Sequence, residues 1–408
     1  MKKIALLIVL VLAGSPLGLV GCSQRPARPV VAVVKGSDRG QMIAEAIRLA
    51  GGLDIRDGQK VVLKPNLTGL RRGEYYPGMT TDARVVQGVI DSIDARARCD
   101  VTVAEAGGGN MTKIFPACGY DKLTSQHGQV HLVDSAKDRR AKLPVPATQR
   151  AYDFPLVVKE ADYFINVPVL KTHQLTGASL GFKNLYGLLN NNDRRNSHDK
   201  IDLVLSDMAS IRKVDFVVVD GLVGMEGQGP LDGKSVAMNV VVAGKDPVAV
   251  DAVCAEIMGI SPRRLTHLQE AQRRGLGVAD LDRIEVRGAR IDDVQRMFIP
   301  AFWWMEWSMP ADNAMYEKIV KLADARSDNY HQPLIFYPGR LKIDQKKYPN
   351  LRPFAFYARA EGKHIRFVMR IIPYYHEYIQ ATDDGLKLWV AENFGTQAAA
   401  RLKMDRVR

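Results

Sequence analysis

The side chains best suited to chemistry lie between residues 166 and 189. An apolar run ends there in Lys171, Thr172 and His173. The segment offers ammonium groups, hydroxyls, an imidazole and amides but no carboxylate, so it presents donors and positive charge to a ligand. Its further hydroxyl, glycine and lysine–asparagine positions are Thr176, Gly177, Ser179, Gly181, Lys183 and Asn184. This composition predicts a binding site for an anion.

Further polar groups follow other predicted strands, each at the point where the strand ends. They are Lys64 and Asn66 after residues 60–63, Glu105 after 101–104, and Asp220, Glu226 and Gly227 after 214–219. The carboxyl ends of parallel strands open on one edge of a sheet, where ligands bind in open α/β folds. We therefore expect the groups to form one pocket. The alternative gives each group a local task in a turn, a helix cap or the solvated surface.

The pocket would combine proton transfer with anion binding. His173 is the natural proton carrier, and Lys171 and Glu105 are further catalytic candidates. Lys64, Lys171 and Lys183 can clamp a carboxylate or phosphate, or one of them can form an imine. The predicted ligand-binding residues are Lys64, Asn66, Thr172, Thr176, Gly177, Lys183, Asn184, Asp220, Glu226 and Gly227.

We also expect that the pocket can bind a divalent metal. Its ligands would be His173, Glu105 and Asp220, which are suitable donor types. The residues do not identify any other cofactor. The cysteines beyond the first thirty residues are Cys99, Cys118 and Cys254. They show no CxxC spacing and provide no iron–sulfur ligand set. Whether the first two form a disulfide is left open by the sequence.

Residues 177–181 fit the G-x-S-x-G pattern of serine hydrolases, with Ser179 as the nucleophile. That motif requires a strand that runs directly into the serine. We expect the preceding strand to end near residue 170, with a loop before Ser179. A serine hydrolase is therefore kept only as an alternative.

The first residues predict export. Residues 1–21 have a basic start and a short apolar run, which is typical of a signal peptide. Residues 19–22 resemble the lipobox of bacterial lipoproteins, and that resemblance implies a lipid anchor on Cys22. Ser23 rather than aspartate follows, which favours the outer membrane if the cell has two membranes. Residues 22–29 would form the tether.

The composition indicates a basic surface, but the sequence contains no recognisable nucleic-acid-binding module. The chain has 408 residues and a formal net charge of +12. Its lysines and arginines are spread along the chain, so an ordinary solvated basic surface explains most of this charge. No block of sequence resembles a nucleic-acid-binding motif, and nucleic acid is not an expected partner.

Strand and helix patterns alternate over residues 30–290, which predicts an α/β domain with a mostly parallel sheet and helices on both faces. Asp246 followed by Pro247 predicts a helix start. Residues 291–408 form a separate aromatic-rich C-terminal module of unknown role. The run FIPAFWWMEW (298–307) could lie at a lipid interface, but packing in an aromatic core is favoured.

Four segments resemble the bacterial and archaeal family catalogued as domain of unknown function 362. They are VLKPNL (62–67), the segment 166–189, DGLVGMEGQGP (220–230) and VAGKDPVAVDAVCAEIMG (242–259). The resemblance covers residues 31–287. Members often occur with ferredoxin-type iron–sulfur modules, which implies redox or cofactor metabolism and a redox partner protein. This chain lacks the cysteines of those modules. The KTH…TG…GxK pattern also resembles, over a few residues, the substrate domain of nickel-pincer lactate racemases.

Together these features predict an exported, membrane-tethered α/β protein with a basic pocket for a small anionic ligand. It would be an enzyme that depends on a metal or redox cofactor, or a lipoprotein that captures a solute or envelope polymer without chemistry.

Overall fold

The computed structural model describes residues 28–107, 109–126, 129–197, 200–301 and shorter stretches between 303 and 407. The predicted signal peptide and Cys22 lie outside the described residues. Within the described stretches, no helix combines the length and the apolar character needed to cross a bilayer.

A ten-stranded mixed sheet organises the first three hundred residues. The strands up to residue 288 are β1 (Val30–Lys35), β2 (Lys60–Pro65), β3 (Asp100–Glu105), β4 (Val130–Asp134), β5 (Arg140–Val145), β6 (Arg150–Pro155), β7 (Tyr163–Val167), β8 (Val169–His173), β9 (Gly177–Ser179), β10 (Phe216–Glu226), β11 (Lys234–Gly244) and β12 (Glu285–Gly288). The main strand order is β12-β1-β11-β10-β7-β2-β3-β4, with β8 beside β10 and β9 beside β8. Strands β5 and β6 form a separate hairpin.

Helices cover both faces of this sheet. They are α1 (Arg39–Leu49), α2 (Ala83–Asp94), α3 (Met111–Ala117), α4 (Asp121–Gln126), α5 (Leu156–Lys159), α6 (Gly181–Leu185), α7 (Asn191–Ser197), α8 (Ile201–Ile211), α9 (Pro247–Ile257), α10 (Thr266–Arg273) and α11 (Ile291–Val294). Successive residues of one strand belong to different apolar clusters: Val217 to the cluster that contains residues of α8 and α9, and Val218 to the cluster that contains residues of α1 and α2. Side chains alternate across a strand, so the predicted doubly covered α/β sheet is confirmed.

The sheet departs from a fully parallel arrangement at β11. This strand is antiparallel to both neighbours, β1 and β10. A short segment joins β10 to β11, and two strands joined this closely pair as a hairpin rather than through a crossover helix. Residues after β11 therefore lie at the opposite edge from residues after β2 and β3. At that edge Lys245 Nζ lies 2.7 Å from Asp54 Oδ2. The helix start at Pro247 is confirmed, since Asp246 accepts hydrogen bonds from the N–H groups of Val248 and Ala249.

Two predicted strand ends were wrong. Lys171, Thr172 and His173 belong to β8 and are buried, although the sequence predicted a polar loop there. Strand β8 pairs with β9, which satisfies its backbone groups on that side. Strand β10 continues through Asp220 to Glu226 because β11 pairs with it along that length. Asp220 therefore lies within a strand and not after one.

A second sheet lies in the C-terminal part of the chain. Its strands are β13 (Trp303–Pro310), β14 (Phe336–Arg340), β15 (Ala355–Glu361), β16 (His364–Ile371) and β17 (Lys403–Val407), in the order β14-β15-β16-β13-β17. The helices α12 (His376–Phe394) and α13 (Thr396–Ala400) precede the last strand. Trp307 is fully buried, and its indole donates to Asp383 Oδ1 at 2.8 Å. This tryptophan is part of a core.

Candidate functional site

A buried ion pair joins the ends of two neighbouring strands. Lys64 and Glu105 are adjacent because β2 and β3 pair in parallel. The Lys64 ammonium lies 3.0 Å from Glu105 Oε2, and neither side chain has appreciable exposure. The carboxylate also accepts hydrogen bonds from the N–H groups of Leu67, Ala106 and Gly107. Burial alone would raise the pKa of Glu105, but Lys64 and these N–H groups outweigh it and hold the pKa below its usual range.

Asn184 ties helix α6 to this ion pair. Its Oδ1 accepts from the Lys64 ammonium at 3.1 Å and from Asn66 Nδ2 at 3.0 Å. Its Nδ2 donates to Asn166 Oδ1 at 2.7 Å. Three segments that are distant in sequence thus share one buried amide. Asn184 therefore sets the position of α6 against the ends of β2 and β7.

Lys171 is fully buried and fully bonded. Its ammonium donates to Asn66 Oδ1 at 2.6 Å, to Thr68 Oγ1 at 3.0 Å and to the Met79 carbonyl at 2.6 Å. An ammonium has three protons, so none is left for a ligand. Burial, followed by repulsion from Lys183, lowers the pKa of Lys171 to about 7. Lys171 therefore supports the site rather than clamping a ligand.

The ammonium of Lys64 is also fully used in hydrogen bonds within the protein. Besides Glu105 and Asn184, it donates to the Pro65 carbonyl at 3.2 Å. A Cβ placed on Gly187 would lie 3.1 Å from the Lys64 ammonium and 3.2 Å from Glu105 Oε1. The backbone of Gly187 thus closes over the ion pair, and a larger residue would crowd it.

Lys183 differs from the other two lysines. Among the described residues, its ammonium donates no hydrogen bond and lies 4.7 Å from the centre of the Tyr186 ring. The side chain keeps part of its surface accessible. Burial comes first among the causes that lower its pKa to about 7, followed by repulsion from Lys64 and Arg194. Lys183 is therefore the lysine that can act on a ligand.

Arg194, from α7, completes the group and was not predicted from the sequence. It donates through Nη1 to the Gly107 carbonyl at 2.8 Å and through Nε to the Leu189 carbonyl at 3.0 Å. Its Nη2 donates to none of the described residues, and the side chain is partly exposed. We call Lys64, Lys171, Lys183, Arg194 and Glu105, with the amides Asn66 and Asn184, the lysine cluster. The cluster holds four cations and one carboxylate.

The remaining residues of the β8–β9 hairpin have local partners. His173 Nδ1 accepts from the N–H groups of Leu175 at 3.0 Å and Thr176 at 3.4 Å, which closes the turn. The Thr176 hydroxyl donates to the Ala178 carbonyl at 2.9 Å. Gly177 has a φ of 79°, a conformation that glycine adopts most easily. These contacts hold the hairpin turn together.

Thr172 and Gly227 meet at the edge of β8. The Thr172 hydroxyl donates to the Gly227 carbonyl at 2.9 Å. Gly227 N–H donates in turn to the Ile299 carbonyl at 2.7 Å. These contacts connect β8 to the segment after β10, and none of them involves the lysine cluster.

The two acids of β10 are also engaged away from the lysines. Asp220 accepts from the N–H groups of Asp82 at 2.9 Å and Leu222 at 3.1 Å, and burial raises its pKa to about 7. Glu226 accepts from the Ile299 N–H at 3.1 Å, with the Arg296 guanidinium 3.7 Å away. The expected pocket thus gathers Lys64, Asn66, Glu105, Lys171, Lys183 and Asn184. It does not include Asp220 or Glu226.

The described residues do not form the expected metal site. No three histidine, cysteine or acidic side chains among them come together around one point. Glu105 is engaged by Lys64, Asp220 by backbone N–H groups, and His173 Nδ1 by its own turn. The cysteine side chains described are free and buried thiols: Cys99, Cys118 and Cys254.

Ser179 ends β9, and α6 begins two residues later. A turn at residues 174–176 separates β8 from β9, and β9 leads almost directly from Ser179 into the helix. No described histidine or acid forms a hydrogen bond with the Ser179 hydroxyl. The carboxylate nearest the helix start belongs to Asp251, which serves a different purpose.

Asp251 fixes the start of α6 and was missed by the sequence reasoning. Its two carboxylate oxygens each accept one N–H, from Gly181 and from Phe182, both at 2.8 Å. Burial raises the pKa of Asp251 to about 7. The available signal was an aspartate inside the apolar run VAVDAVC of α9. Such a residue in an otherwise buried helix needs a polar partner.

Two described surface clefts lie elsewhere. One, of about 280 Å³, is lined by Arg150, Ala151, Tyr152, Asp193, Ser197, Lys200 and Val204. The other, of about 630 Å³, lies beside the start of α1. Neither is lined by Lys183 or Arg194.

Comparison with known proteins gives a family and two distant similarities. The family model named Domain of unknown function (DUF362) matches residues 61–256. The chain is 26% identical over 244 residues to the thylakoid-associated protein sll1697 of Synechocystis sp., which covers 54% of this chain and 70% of that protein.

A solved structure, the lactate racemase apoprotein from Thermoanaerobacterium thermosaccharolyticum, is similar over 57% of this chain and 58% of that chain. The sequence identity is 14% and the TM-score 0.35. A similarity of this size carries no argument about function. The matched family segment contains every residue of the lysine cluster, together with Asp251. Residues 61–256 of the chain therefore form a domain of the DUF362 family.

Proposed function

We propose that the lysine cluster binds a small anion. The observation that carries this proposal is the charge imbalance: among the described residues, Glu105 is the only carboxylate that acts electrostatically on Lys171 and Lys183. Buried charges are normally paired, because desolvation without a partner is costly. An anion in contact with Lys183 and Arg194 would supply the missing partner.

The two residues with unused donors suit a carboxylate or a phosphate. Lys183 offers an ammonium, and Arg194 offers Nη2. A guanidinium presents its N–H groups in a plane that matches these anions, and charge-assisted hydrogen bonds are stronger than neutral ones. Lys64 and Lys171 would contribute through charge alone, since their protons are already engaged. Binding would also favour the protonated form of Lys183 and draw protons from solution.

Thermal unfolding in phosphate tests the proposal. Potassium phosphate is compared with potassium chloride at equal ionic strength, for the parent protein and for Lys183→Gln. A ligand at one hundred times its dissociation constant stabilises a protein by about 2.7 kcal/mol. We expect phosphate to raise the melting temperature of the parent protein by several degrees and to lose most of this effect in Lys183→Gln.

Lys245→Gln is the matched control. It removes the same charge at the opposite edge of the sheet, where Lys245 is paired with Asp54. This variant should keep the full phosphate effect. Equal shifts for the parent protein and Lys183→Gln, or an equal loss in both variants, would contradict a site at the lysine cluster.

Export and lipid anchoring form a second, independent proposal. It is supported by residues 1–22, with their basic start, apolar run and lipobox-like end at Cys22. The Synechocystis relative is described as thylakoid-associated, and a thylakoid is a membrane compartment. Cells fed radiolabelled palmitate should incorporate label into the parent protein and not into Cys22→Ser. Label that persists in Cys22→Ser would overturn this proposal.

A further inference from the structure

We infer that Lys183 is a nucleophilic amine that forms an imine with the carbonyl carbon of a small 2-oxo acid, whose carboxylate is held by Arg194. This inference rests on the proposed anion site and names the class of ligand for it. The excess of positive charge would then serve two purposes: it would bind the anion and favour a reactive amine.

Lys183 is selected by its hydrogen bonds. Lys64 and Lys171 each donate to three or more acceptors of the scaffold, so their nitrogen lone pairs are not available. Lys183 donates to none of the described residues and keeps accessible surface. A nucleophilic amine needs both an approach for the substrate and a nitrogen that is not already engaged.

The surroundings of Lys183 favour the neutral amine. Burial is the largest cause that lowers the pKa of Lys183 to about 7, and repulsion from Lys64 and Arg194 adds to it. The face of the Tyr186 ring acts in the opposite direction, since it attracts an ammonium. A single contact of this kind is too weak to restore the pKa of an ordinary lysine.

Tyr186 and Arg194 are linked to each other. The Tyr186 hydroxyl donates to the Arg194 carbonyl at 2.6 Å. The ring beneath Lys183 and the backbone that carries Arg194 are therefore held in one arrangement. This link brings the amine and the residue that carries the guanidinium to the same part of the site, and a reaction between a bound substrate and a side chain requires such proximity.

The ligand class follows from these two groups together. An amine reacts with a carbonyl carbon, and a guanidinium binds a carboxylate. A 2-oxo acid carries both functions on adjacent carbons. An aldehyde without a carboxylate would have no partner for Arg194, and a simple carboxylate would give Lys183 nothing to attack.

The reaction needs no further reagent. The lone pair of the neutral Lys183 amine forms a bond to the carbonyl carbon, and one of the two amine protons passes to the carbonyl oxygen to give a carbinolamine. The carbon–oxygen bond then breaks, the oxygen leaves as water with the second proton, and a carbon–nitrogen double bond remains. No atom is oxidised or reduced in these steps.

Reductive trapping with pyruvate tests the inference. The parent protein is incubated with pyruvate and sodium cyanoborohydride, which delivers a hydride to the imine carbon, and the modified lysines are mapped by peptide mass spectrometry. At pH 7.5 an amine with a pKa near 7 is mostly unprotonated, whereas an ordinary lysine is unprotonated at about one part in a thousand. We expect Lys183 to be modified at least about tenfold faster than Lys245.

Three comparisons isolate the parts of the site. Lys183→Arg keeps the charge and should lose the label at this position. Arg194→Gln should slow trapping of pyruvate and leave trapping of propanal, which has no carboxylate, unchanged. Phosphate should slow pyruvate trapping at Lys183 in the parent protein, a comparison that does not depend on the folding of any variant.

The outcomes separate the two proposals. Stabilisation by phosphate without selective label at Lys183 overturns the imine and leaves the anion site standing. Equal slowing of pyruvate and propanal trapping in Arg194→Gln, or no slowing of either, overturns the assignment to 2-oxo acids. No phosphate effect and no selective label would remove both.

Discussion

Two buried charge clusters in the same domain differ in their balance. Between α8 and α10, Arg274 lies 2.6 Å from Asp207 and 2.7 Å from Glu270, and Arg273 also lies 2.7 Å from Glu270. The Tyr152 hydroxyl donates to Asp207 at 2.6 Å. This cluster has two guanidiniums for two carboxylates. The lysine cluster has four cations for one carboxylate.

The difference in balance corresponds to a difference in task. In the balanced cluster each buried charge has its partner within the chain, which suits a purely structural role. In the lysine cluster the scaffold residues are satisfied, but Lys183 and Arg194 keep unused donors among the described residues. Burial alone therefore does not mark the site. The site is marked by its excess of positive charge together with Lys183, whose ammonium has no acceptor in the part of the chain that the structure describes.

The largest expected effect is the loss of the central residue of the balanced cluster. Arg274→Ala leaves Asp207 buried without its guanidinium and should lower the free energy of unfolding by about 3–5 kcal/mol. Urea unfolding measures this. The phosphate effect on melting should remain, because the lysine cluster is untouched. A loss of the phosphate effect in Arg274→Ala would break the separation between the two clusters.

A smaller effect is expected for the single carboxylate of the lysine cluster. Glu105→Gln removes the counter-charge of Lys64, but a lysine can release its proton where an arginine cannot. We expect a loss of about 1–3 kcal/mol in urea unfolding at pH 7, and a larger gain from phosphate than in the parent protein. A cost equal to that of Arg274→Ala, with no gain from phosphate, would contradict the proposed imbalance.

The pH dependence of stability gives the third test. The folded-state pKa of Lys183, about 7, lies below the ordinary value for lysine, so the unfolded chain binds more protons above pH 7. Stability should then rise with pH in this window, by up to about 1 kcal/mol per pH unit from this residue. The difference in unfolding free energy between the parent protein and Lys183→Gln, followed from pH 7 to 9, isolates this term from other titrating groups. A difference that stays constant would show that Lys183 titrates normally.

The smallest effect is expected at the rim of the balanced cluster. The Arg273 side chain is 35% exposed, whereas that of Arg274 is 7% exposed. Exposed ion pairs contribute about 0–1 kcal/mol, so Arg273→Ala should change the urea midpoint only slightly. If it cost as much as Arg274→Ala, burial would not be the property that gives the balanced cluster its strength.

The fold could be predicted from the sequence more completely than the contacts within the site. Apolar strands, alternating helices and the Asp246 cap predicted the α/β domain, because these signals are local. The meeting of Lys64 and Glu105 followed from the rule on strand ends. Lys171 and Asn184 were expected at the same site, but they lie within β8 and α6 and not after a strand. The burial of Lys171 could not be predicted in this way. Its acceptors, Asn66, Thr68 and Met79, lie about a hundred positions away in the chain.

The errors have a common physical origin. Polar residues were assigned to loops, yet β8 and the second half of β10 are buried strands whose neighbours, β9 and β11, satisfy them. Arg194 was overlooked because it lies in the polar run NNDRRNS, where nothing distinguishes one charged residue from the next. Asp251 had a recognisable signal, an acid in an apolar helix. That signal predicts a buried polar partner, which the structure identifies as the start of α6.

That aspartate places a joint constraint on two positions seventy residues apart. A Cβ on Gly181 would lie 2.8 Å from Asp251 Oδ1, and the Gly181 N–H already donates to the same oxygen. A larger residue at position 181 would push the carboxylate away, and a residue without acceptors at position 251 would leave two amides bare. In evolution or design, these two positions can only change together. Lys183 and Asn184, carried on the same short helix, would move with them.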